Sequence, residues 1–387
     1  MNPRERFRLA MSHQQPDRVL IDYGKHFGSF HRRGYSRLRP LLPELDLPEE
    51  PRILDRMAQN VVLEEALLRR FDIDFRWVIP HWVGVRDITL DGQPGYVDWW
   101  QTPHKFTDVG DYFAVAGQPL GREGLTIEDI ESFPWPGPSP AMFTGLREQA
   151  RAWRENTDYV VGADGIKCGI LQTGSQLRGY DHLFADFALN PGLAHALLDR
   201  LSASINAMYR AYLQEVGEYV QVVAITDDQG TQKSLMVSPK MFREFIKPRL
   251  ASQIKTIKDE ADVKVIMHCD GAIVPIIPDL IEIGVDIINP IQTVVKGLED
   301  TASLKERFGD RVCFHGGIDV QQVLPNATVA EVRNEVARRI ADLGRQGGYI
   351  IAPCHNIGPD IPPENVLALF DAAQEFGSYQ RDSVAVR

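Results

Sequence analysis

The sequence predicts a (β/α)₈ barrel, in which eight parallel strands alternate with helices. Three observations lead to this prediction: eight short apolar runs are present, amphipathic stretches separate them, and the runs are almost continuously apolar. Strands of that kind are buried on both faces, as in a parallel sheet covered by helices. An open doubly wound sheet is the alternative, but no GxGxxG motif follows the first run, which argues against its dinucleotide-binding form.

The predicted elements extend along the whole chain. The strands are residues 18–23, 73–78, 159–163, 219–225, 263–268, 285–290, 311–315 and 349–352. Helical periodicity covers 191–216, 239–260, 272–283, 303–308 and 329–346, and several of these stretches begin at Ser, Pro or Asp and end near Gly. Residues 1–17 and 36–70 also look helical.

Residues 79–140 lie outside this repeat. Their Gly and Pro punctuation, and alternating segments such as 93–100, predict an insertion with β-hairpin character. We expect the insertion to cover one end of the barrel, so that residues 1–387 form a single domain with an N-terminal helical segment.

The composition of the chain indicates which kinds of partner and which cellular compartment to expect. The chain has 387 residues and a formal net charge of -11, which argues against nucleic acid as a main partner because phosphate binding needs a basic face. No apolar run approaches the roughly 18 residues that span a bilayer, and the first residues lack the apolar core of a signal peptide. We therefore expect a cytoplasmic protein with no membrane partner. Whether it forms a homo-oligomer stays open.

Four cysteines are too few and too scattered for a disulfide framework. Cys168 and Cys313 lie in apolar or tight-turn segments and are predicted to be inert core thiols. The other two, Cys269 and Cys354, adjoin histidines at strand ends.

Polar and aromatic residues follow the predicted strands, and the carboxyl ends of barrel strands share one face. This rim predicts a pocket with substrate-binding candidates His26, His81, Trp82, Gln172 and Gln292. Histidine at such positions is more often an ordinary polar residue than a ligand.

Three further rim positions are candidates for proton or substrate handling: Asp227, Asp228 and Gln232. Two adjacent acids after an apolar strand favour function, although they also fit a cap before the helix that starts at Ser238. For the segment His315-Gly316-Gly317 we favour a structural turn, with a positioning role possible for Asp319.

A metal site is predicted where two strands end. His268-Cys269-Asp270 follows one strand, and Cys354-His355 follows another 87 residues later. Side chains alternate along a strand, so one inward set is His268, Asp270 and His355. If the strand ends bulge, Cys269 or Cys354 replaces a member. Three ligands with one open position are typical of catalytic zinc.

The chain also resembles the uroporphyrinogen decarboxylase superfamily. The resemblance lies in residues 1–7, 16–19, 226–232, 238–239, 245–248, 268–292, 315–319 and 362–365. It implies a (β/α)₈ barrel and one of two activities: metal-free decarboxylation of a tetrapyrrole, or zinc-dependent methyl transfer to a corrinoid-binding protein.

The sequence looks closer to the methyltransferases, because His268 falls where they carry a His-x-Cys zinc motif and no N-terminal arginine-rich segment is present. Here that cysteine is replaced by Asp270, and His355 falls where they have a second thiolate. A harder ligand set favours polarising an oxygen leaving group over activating a thiol. The resemblance thus implies corrinoid-dependent demethylation of a small oxygen- or nitrogen-methylated compound, with a methoxylated compound favoured. It also implies a zinc ion, Asp227 or Asp228 as proton donor or substrate anchor, and Gln232 as a hydrogen-bond partner.

Two other function classes remain open. In a metal-free lyase acting on a tetrapyrrole or aromatic carboxylate, His268 and His355 bind substrate carboxylates and Asp228 handles the proton. In a non-catalytic binding barrel, the same rim holds a small ligand.

Overall fold

The computed structural model describes residues 1–109, 111–166 and 169–379. Eight parallel strands form one sheet: β1 Leu20–Ile21, β2 Phe75–Val78, β3 Val160–Ala163, β4 Val222–Thr226, β5 Lys264–His268, β6 Ile287–Ile291, β7 Cys313–Ile318 and β8 Tyr349–Pro353. Their order is β1-β8-β7-β6-β5-β4-β3-β2, so sequence neighbours are sheet neighbours and the two end strands are β1 and β2. The predicted barrel is confirmed.

The barrel closes at the seam between β1 and β2 through one residue. The backbone N–H of Asp74 donates to the carbonyl of Ile21 at 2.9 Å, and the Ile21 N–H donates to the Asp74 carboxylate at 2.8 Å. Arg18 pairs with this buried carboxylate at 2.8 Å. The Asp74 side chain thus takes the place of a backbone acceptor in the hydrogen bonding between β1 and β2, because β1 has only two residues.

Helices surround the barrel. The α-helices of six or more residues are Pro3–Met11, Arg32–Leu38, Glu65–Arg70, Ile127–Ser132, Leu146–Asn156, Ile170–Arg178, Tyr180–Leu189, Pro191–Val216, Lys247–Glu260, Ile277–Glu282, Thr301–Phe308, Val329–Leu343 and Pro363–Phe376. Within the described residues no helix is both long and apolar enough to cross a membrane.

Two predicted helices are shorter or less regular in the structure. The prediction for 239–260 becomes a short turn, a π-helical segment Phe242–Ile246 and then Lys247–Glu260. Pro248 explains the wide turn, because it has no N–H to donate and its ring crowds the carbonyl four residues earlier. The prediction for 272–283 becomes a 3₁₀ turn Val274–Ile276 followed by Ile277–Glu282.

The insertion contains a four-stranded antiparallel sheet, Arg86–Leu90, Gln93–Val97, Pro103–Thr107 and Tyr112–Val115. Its first turn is Asp91-Gly92, with φ of 48° and 76°, as a tight hairpin turn requires. The all-helical prediction for 36–70 is wrong, because Ile53–Asp55 pairs with Asn60–Val61 between two short helices.

Candidate active site

Three predicted ligands meet at the carboxyl end of the barrel. His268 ends β5, Asp270 follows it, and His355 lies two residues beyond β8. Their ligand atoms all lie within 4.8 Å of one another. Among the described residues, no other group of three or more His, Cys, Asp or Glu side chains converges in this way. His268 Nε2 and His355 Nε2 lie 3.8 and 4.0 Å from Asp270 Oδ2.

The spacing and the unpaired atoms suit a metal ion. Two ligand atoms bound to one tetrahedral zinc lie roughly 3.3–3.6 Å apart, so the two contacts of Asp270 Oδ2, at 3.8 and 4.0 Å, are within a few tenths of an ångström of that spacing. Asp270 Oδ1 is buried and has no hydrogen-bond partner, which is costly for a carboxylate oxygen unless something else binds it. The three side chains could therefore hold a cation.

The environment of His268 holds its ring in place. Its Nδ1 lies 2.7 Å from the side-chain oxygen of Asn289, and Phe27 stacks on its face at 4.6 Å between ring centroids. Burial lowers the pKa of His355, and the nearby His268 ring adds to this lowering although Asp270 opposes it. Near neutral pH His355 is thus a neutral imidazole, the form that binds metals.

Neither adjacent cysteine joins the cluster. Cys354 Sγ donates to the carbonyl of Ile291 at 3.0 Å, and Cys269 is buried. Burial raises the pKa of both thiols far above the ordinary value. Cys313 is also a buried thiol, whose pKa burial raises to about 12. Cys168 lies outside the described residues.

Asp227 serves as an anchor for a helix. Its carboxylate accepts the backbone N–H groups of Leu171 and Gln172, both at 2.9 Å, at the start of the helix Ile170–Arg178. A side chain at Gly169 would collide with it. Burial raises the pKa of Asp227 to about 7, and these N–H donors oppose the rise. Asp227 therefore does cap a helix, but not the one beginning near Ser238.

Asp228 faces the cluster. Its Oδ1 accepts the N–H of Asp270 at 2.9 Å, and its Oδ2 accepts from Gln172 Nε2 at 3.1 Å. Burial and then the charge of Asp270 raise the pKa of Asp228. Two glycines permit this approach of neighbouring loops: a Cβ on Gly271, whose φ is +97°, would lie 2.3 Å from the carbonyl carbon of Gly230.

His26 forms a second paired acid and base at the rim. Its Nδ1 lies 2.6 Å from Asp164 Oδ1, and Asp164 directly follows β3. The other ring nitrogen, Nε2, is buried without a hydrogen-bond partner. Asp164 was missed from the sequence, although an acid directly after a buried strand was a usable signal.

The remaining candidates are dispersed. Gln292 accepts the Gly271 N–H at 2.7 Å and so supports the Asp270 loop. Gln232 is exposed and donates to Gln321 at 2.9 Å. His81 and Trp82 line a separate cavity of about 1000 Å³ whose walls do not include the cluster.

A smaller pocket of about 260 Å³ reaches His355 itself. Its walls are His31, Met57, Ala58, Asn60, Tyr112, His355, Asn356, Gly358 and Pro359. The insertion contributes Tyr112 to these walls. These described wall residues include no lysine or arginine.

Comparison with known proteins defines the family. The family model described as uroporphyrinogen decarboxylase (URO-D) matches residues 128–376. The uroporphyrinogen decarboxylase of Psychromonas ingrahamii is 24% identical over 278 residues, covering 69% of this chain and 74% of that protein. The enzyme of the same name from Pseudomonas aeruginosa is 26% identical over 285 residues, covering 70% and 74%.

Among solved structures, a methyltransferase from Methanosarcina mazei matches over 97% of this chain and 99% of that one, with a TM-score of 0.65 and 18% identity. At that identity the match supports the barrel fold. With well over half of its length matched by the family model, and with the same barrel, the chain belongs to the uroporphyrinogen decarboxylase (URO-D) family.

Proposed function

We propose that the protein transfers a methyl group from a small methoxylated compound to a reduced corrinoid carried by a partner protein, assisted by a metal ion such as zinc. One observation carries this proposal: His268, Asp270 and His355 present nitrogen and oxygen ligands within 4.8 Å of one another, with Asp270 Oδ1 buried and unpaired. Tetrapyrrole decarboxylation in this superfamily needs no metal, so a built ligand set favours the methyltransferase branch.

The reaction has a simple balance. The bond between the methyl carbon and the substrate oxygen breaks, and a carbon–cobalt bond forms with two electrons from cobalt(I). The oxygen keeps the electron pair of the broken bond and takes a proton. A metal ion held by the three side chains would supply Lewis acidity toward that oxygen.

The protein's own groups would bind the substrate and manage the proton. Asp228 has a raised pKa and contacts both Asp270 and Gln172, so it suits a proton donor or a substrate anchor beside the cluster. His26 offers a second proton-handling group, because Asp164 pairs with Nδ1 and leaves Nε2 free.

The pocket beside His355 supports a small, uncharged donor. At about 260 Å³, with Met57 and Tyr112 in its walls, it suits a compact methylated molecule and provides no cation for a polycarboxylate. The harder ligand set favours an oxygen-linked methyl group over a thioether.

A metal-free carboxy-lyase is the second candidate. The raised pKa of Asp228 beside the cluster favours it, since a weakly acidic carboxyl group near a substrate carboxylate suits proton transfer. The two curated relatives described above carry the decarboxylase name.

The test combines metal analysis with two activity assays. The purified protein is expected to contain about one zinc per chain, and with cob(I)alamin it should form methylcobalamin from members of a panel of methoxylated aromatic and aliphatic compounds. Release of carbon dioxide from tetrapyrrole or aromatic acids by zinc-free protein, with no methyl transfer from any donor, would overturn the proposal in favour of the lyase.

A further inference from the structure

A chain of buried hydrogen bonds leads from the proposed metal ligand His268 across the barrel mouth. His268 Nδ1 lies 2.7 Å from Asn289 Oδ1, and Asn289 Nδ2 lies 2.7 Å from His315 Nδ1. His315 Nε2 lies 2.8 Å from Asp22 Oδ2. The four side chains belong to β5, β6, β7 and the end of β1, and each residue is at most 4% exposed.

Asp22 is an ionised acceptor at the far end of this chain. Lys25 Nζ donates to its Oδ2 at 2.5 Å, and Trp77 Nε1 donates to its Oδ1 at 2.9 Å. Burial alone would raise the pKa of Asp22, but the charge of Lys25 and the bonds from Lys25 and His315 outweigh it and hold the pKa well below the ordinary range. Asp22 can therefore accept hydrogen bonds but not donate them.

This fixes the direction of every bond in the chain. His315 Nε2 must carry hydrogen, because a lone pair there would face the carboxylate oxygen at 2.8 Å. Lys25 Nζ is also 3.3 Å from that nitrogen, but its short bond goes to Asp22. In a neutral ring His315 Nδ1 then accepts from the Asn289 amide, whose oxygen faces His268.

We propose that Asp22, His315 and Asn289 act as positioning residues that hold His268 in the tautomer with hydrogen on Nδ1 and a bare lone pair on Nε2. This inference rests on the proposed function, in which Nε2 binds the metal. A neutral imidazole can otherwise adopt either tautomer. The chain of hydrogen bonds therefore fixes the metal-binding tautomer of His268 before a metal binds. Phe27 adds orientation by stacking on the same ring.

A network that only satisfies buried polar groups would give similar stability but would not select the tautomer. Nitrogen-15 NMR of the metal-free, histidine-labelled protein distinguishes the two readings, because protonated and bare ring nitrogens have different shifts. We expect a protonated Nδ1 and a bare Nε2 at His268.

The key variant is Asp22→Asn, which removes the carboxylate but touches neither His268 nor Asp270. It should mix or reverse the His268 tautomers and weaken zinc binding, measured by competition with a chelator, about 10- to 100-fold. Asp74→Asn is the matched control: this buried carboxylate also pairs with a basic side chain, Arg18, but it precedes β2 at the opposite barrel end. It should leave the tautomer and the zinc affinity unchanged.

A second variant keeps the test decisive if Asp22→Asn does not fold. Asn289→Asp preserves an acceptor facing His268 Nδ1, so that tautomer should persist while His315 gains hydrogen on both nitrogens. A protonated Nε2 at His268 in the parent, or an unaltered tautomer in folded Asp22→Asn, would overturn the inference. If the parent protein shows the expected His268 tautomer but binds no zinc, the proposed function is refuted. The positioning role of Asp22, His315 and Asn289 would still stand.

Discussion

The stability of this protein should fall as the pH drops below about 6.5, and His315 is the expected cause. The ring is 1% exposed, and burial followed by the charge of Lys25 lowers its pKa from 6.5 to about 4, although Asp22 opposes the shift. Between those pH values the unfolded chain binds a proton at this residue and the folded chain does not. The free energy of unfolding therefore decreases as the pH falls through this window.

The size of the effect follows from the shift. One pKa unit corresponds to about 1.4 kcal/mol, so the separation between 6.5 and about 4 amounts to about 3 kcal/mol of unfolding free energy. That is a large fraction of the stability of an ordinary domain. The loss should be nearly complete at pH 4, and little of it should be present at pH 7.

The measurement is equilibrium urea unfolding at intervals from pH 7 to pH 4, for the parent and for His315→Gln. The variant should be less stable at pH 7, because it disturbs the bonds to Asp22 and Asn289, but it should lose about 3 kcal/mol less than the parent by pH 4. His81→Gln, a change at an exposed histidine, should follow the parent curve. Parallel curves for the parent and His315→Gln would rule out His315 as the cause of the acid destabilisation.

Three substitutions test other parts of the site. His268→Ala should abolish zinc binding, measured by elemental analysis, while circular dichroism stays close to the parent; full zinc occupancy would disprove the assignment. Asp270→Cys should retain zinc but cut the rate of oxygen-methyl cleavage, because a thiolate lowers Lewis acidity; an equal rate argues against that role. Gly271→Ala should cost about 1–3 kcal/mol in thermal unfolding, since its φ is +97° and Gly230 leaves no room for a Cβ. Gly192→Ala, where a Cβ meets nothing within 4 Å, should cost less.

The fold was predictable because each barrel strand leaves a local signal. A strand buried on both faces is a short, continuous apolar run, and this pattern identified all eight strands without knowledge of their partners. The seam at Asp74 and the irregular turn before Pro248 were not predicted, because both depend on a geometric mismatch between neighbouring elements rather than on periodicity.

The convergence of His268, Asp270 and His355 was predictable in part. Alternation along β5 and the common end of barrel strands brought these residues to one face in the prediction, but it left the cysteines as alternatives. Cys269 and Cys354 lie outside the group of converging ligand atoms, and Cys354 Sγ is directed at the carbonyl of Ile291, an orientation that the sequence does not reveal.

The positioning chain could not be derived from the sequence. Asp22 and His315 lie 293 positions apart and meet only because β1 and β7 flank β8 in the closed sheet. The glycines after His315 favoured a structural turn, so His315 was not assigned a positioning role from the sequence. Gln232 lies outside the cluster for a related reason: its side chain is exposed and donates to Gln321, and the sequence does not show which way a loop turns.

The central claim is that a metal held by His268, Asp270 and His355 supports methyl transfer. Its most direct test is the initial rate of methylcobalamin formation from cob(I)alamin and a methoxylated donor, followed by absorbance, in protein stripped by a chelator and reloaded with zinc in steps. We expect a rate that rises in proportion to zinc occupancy, is negligible without zinc, and is lost in His268→Ala at every zinc level. A rate in stripped protein equal to that in loaded protein would contradict it.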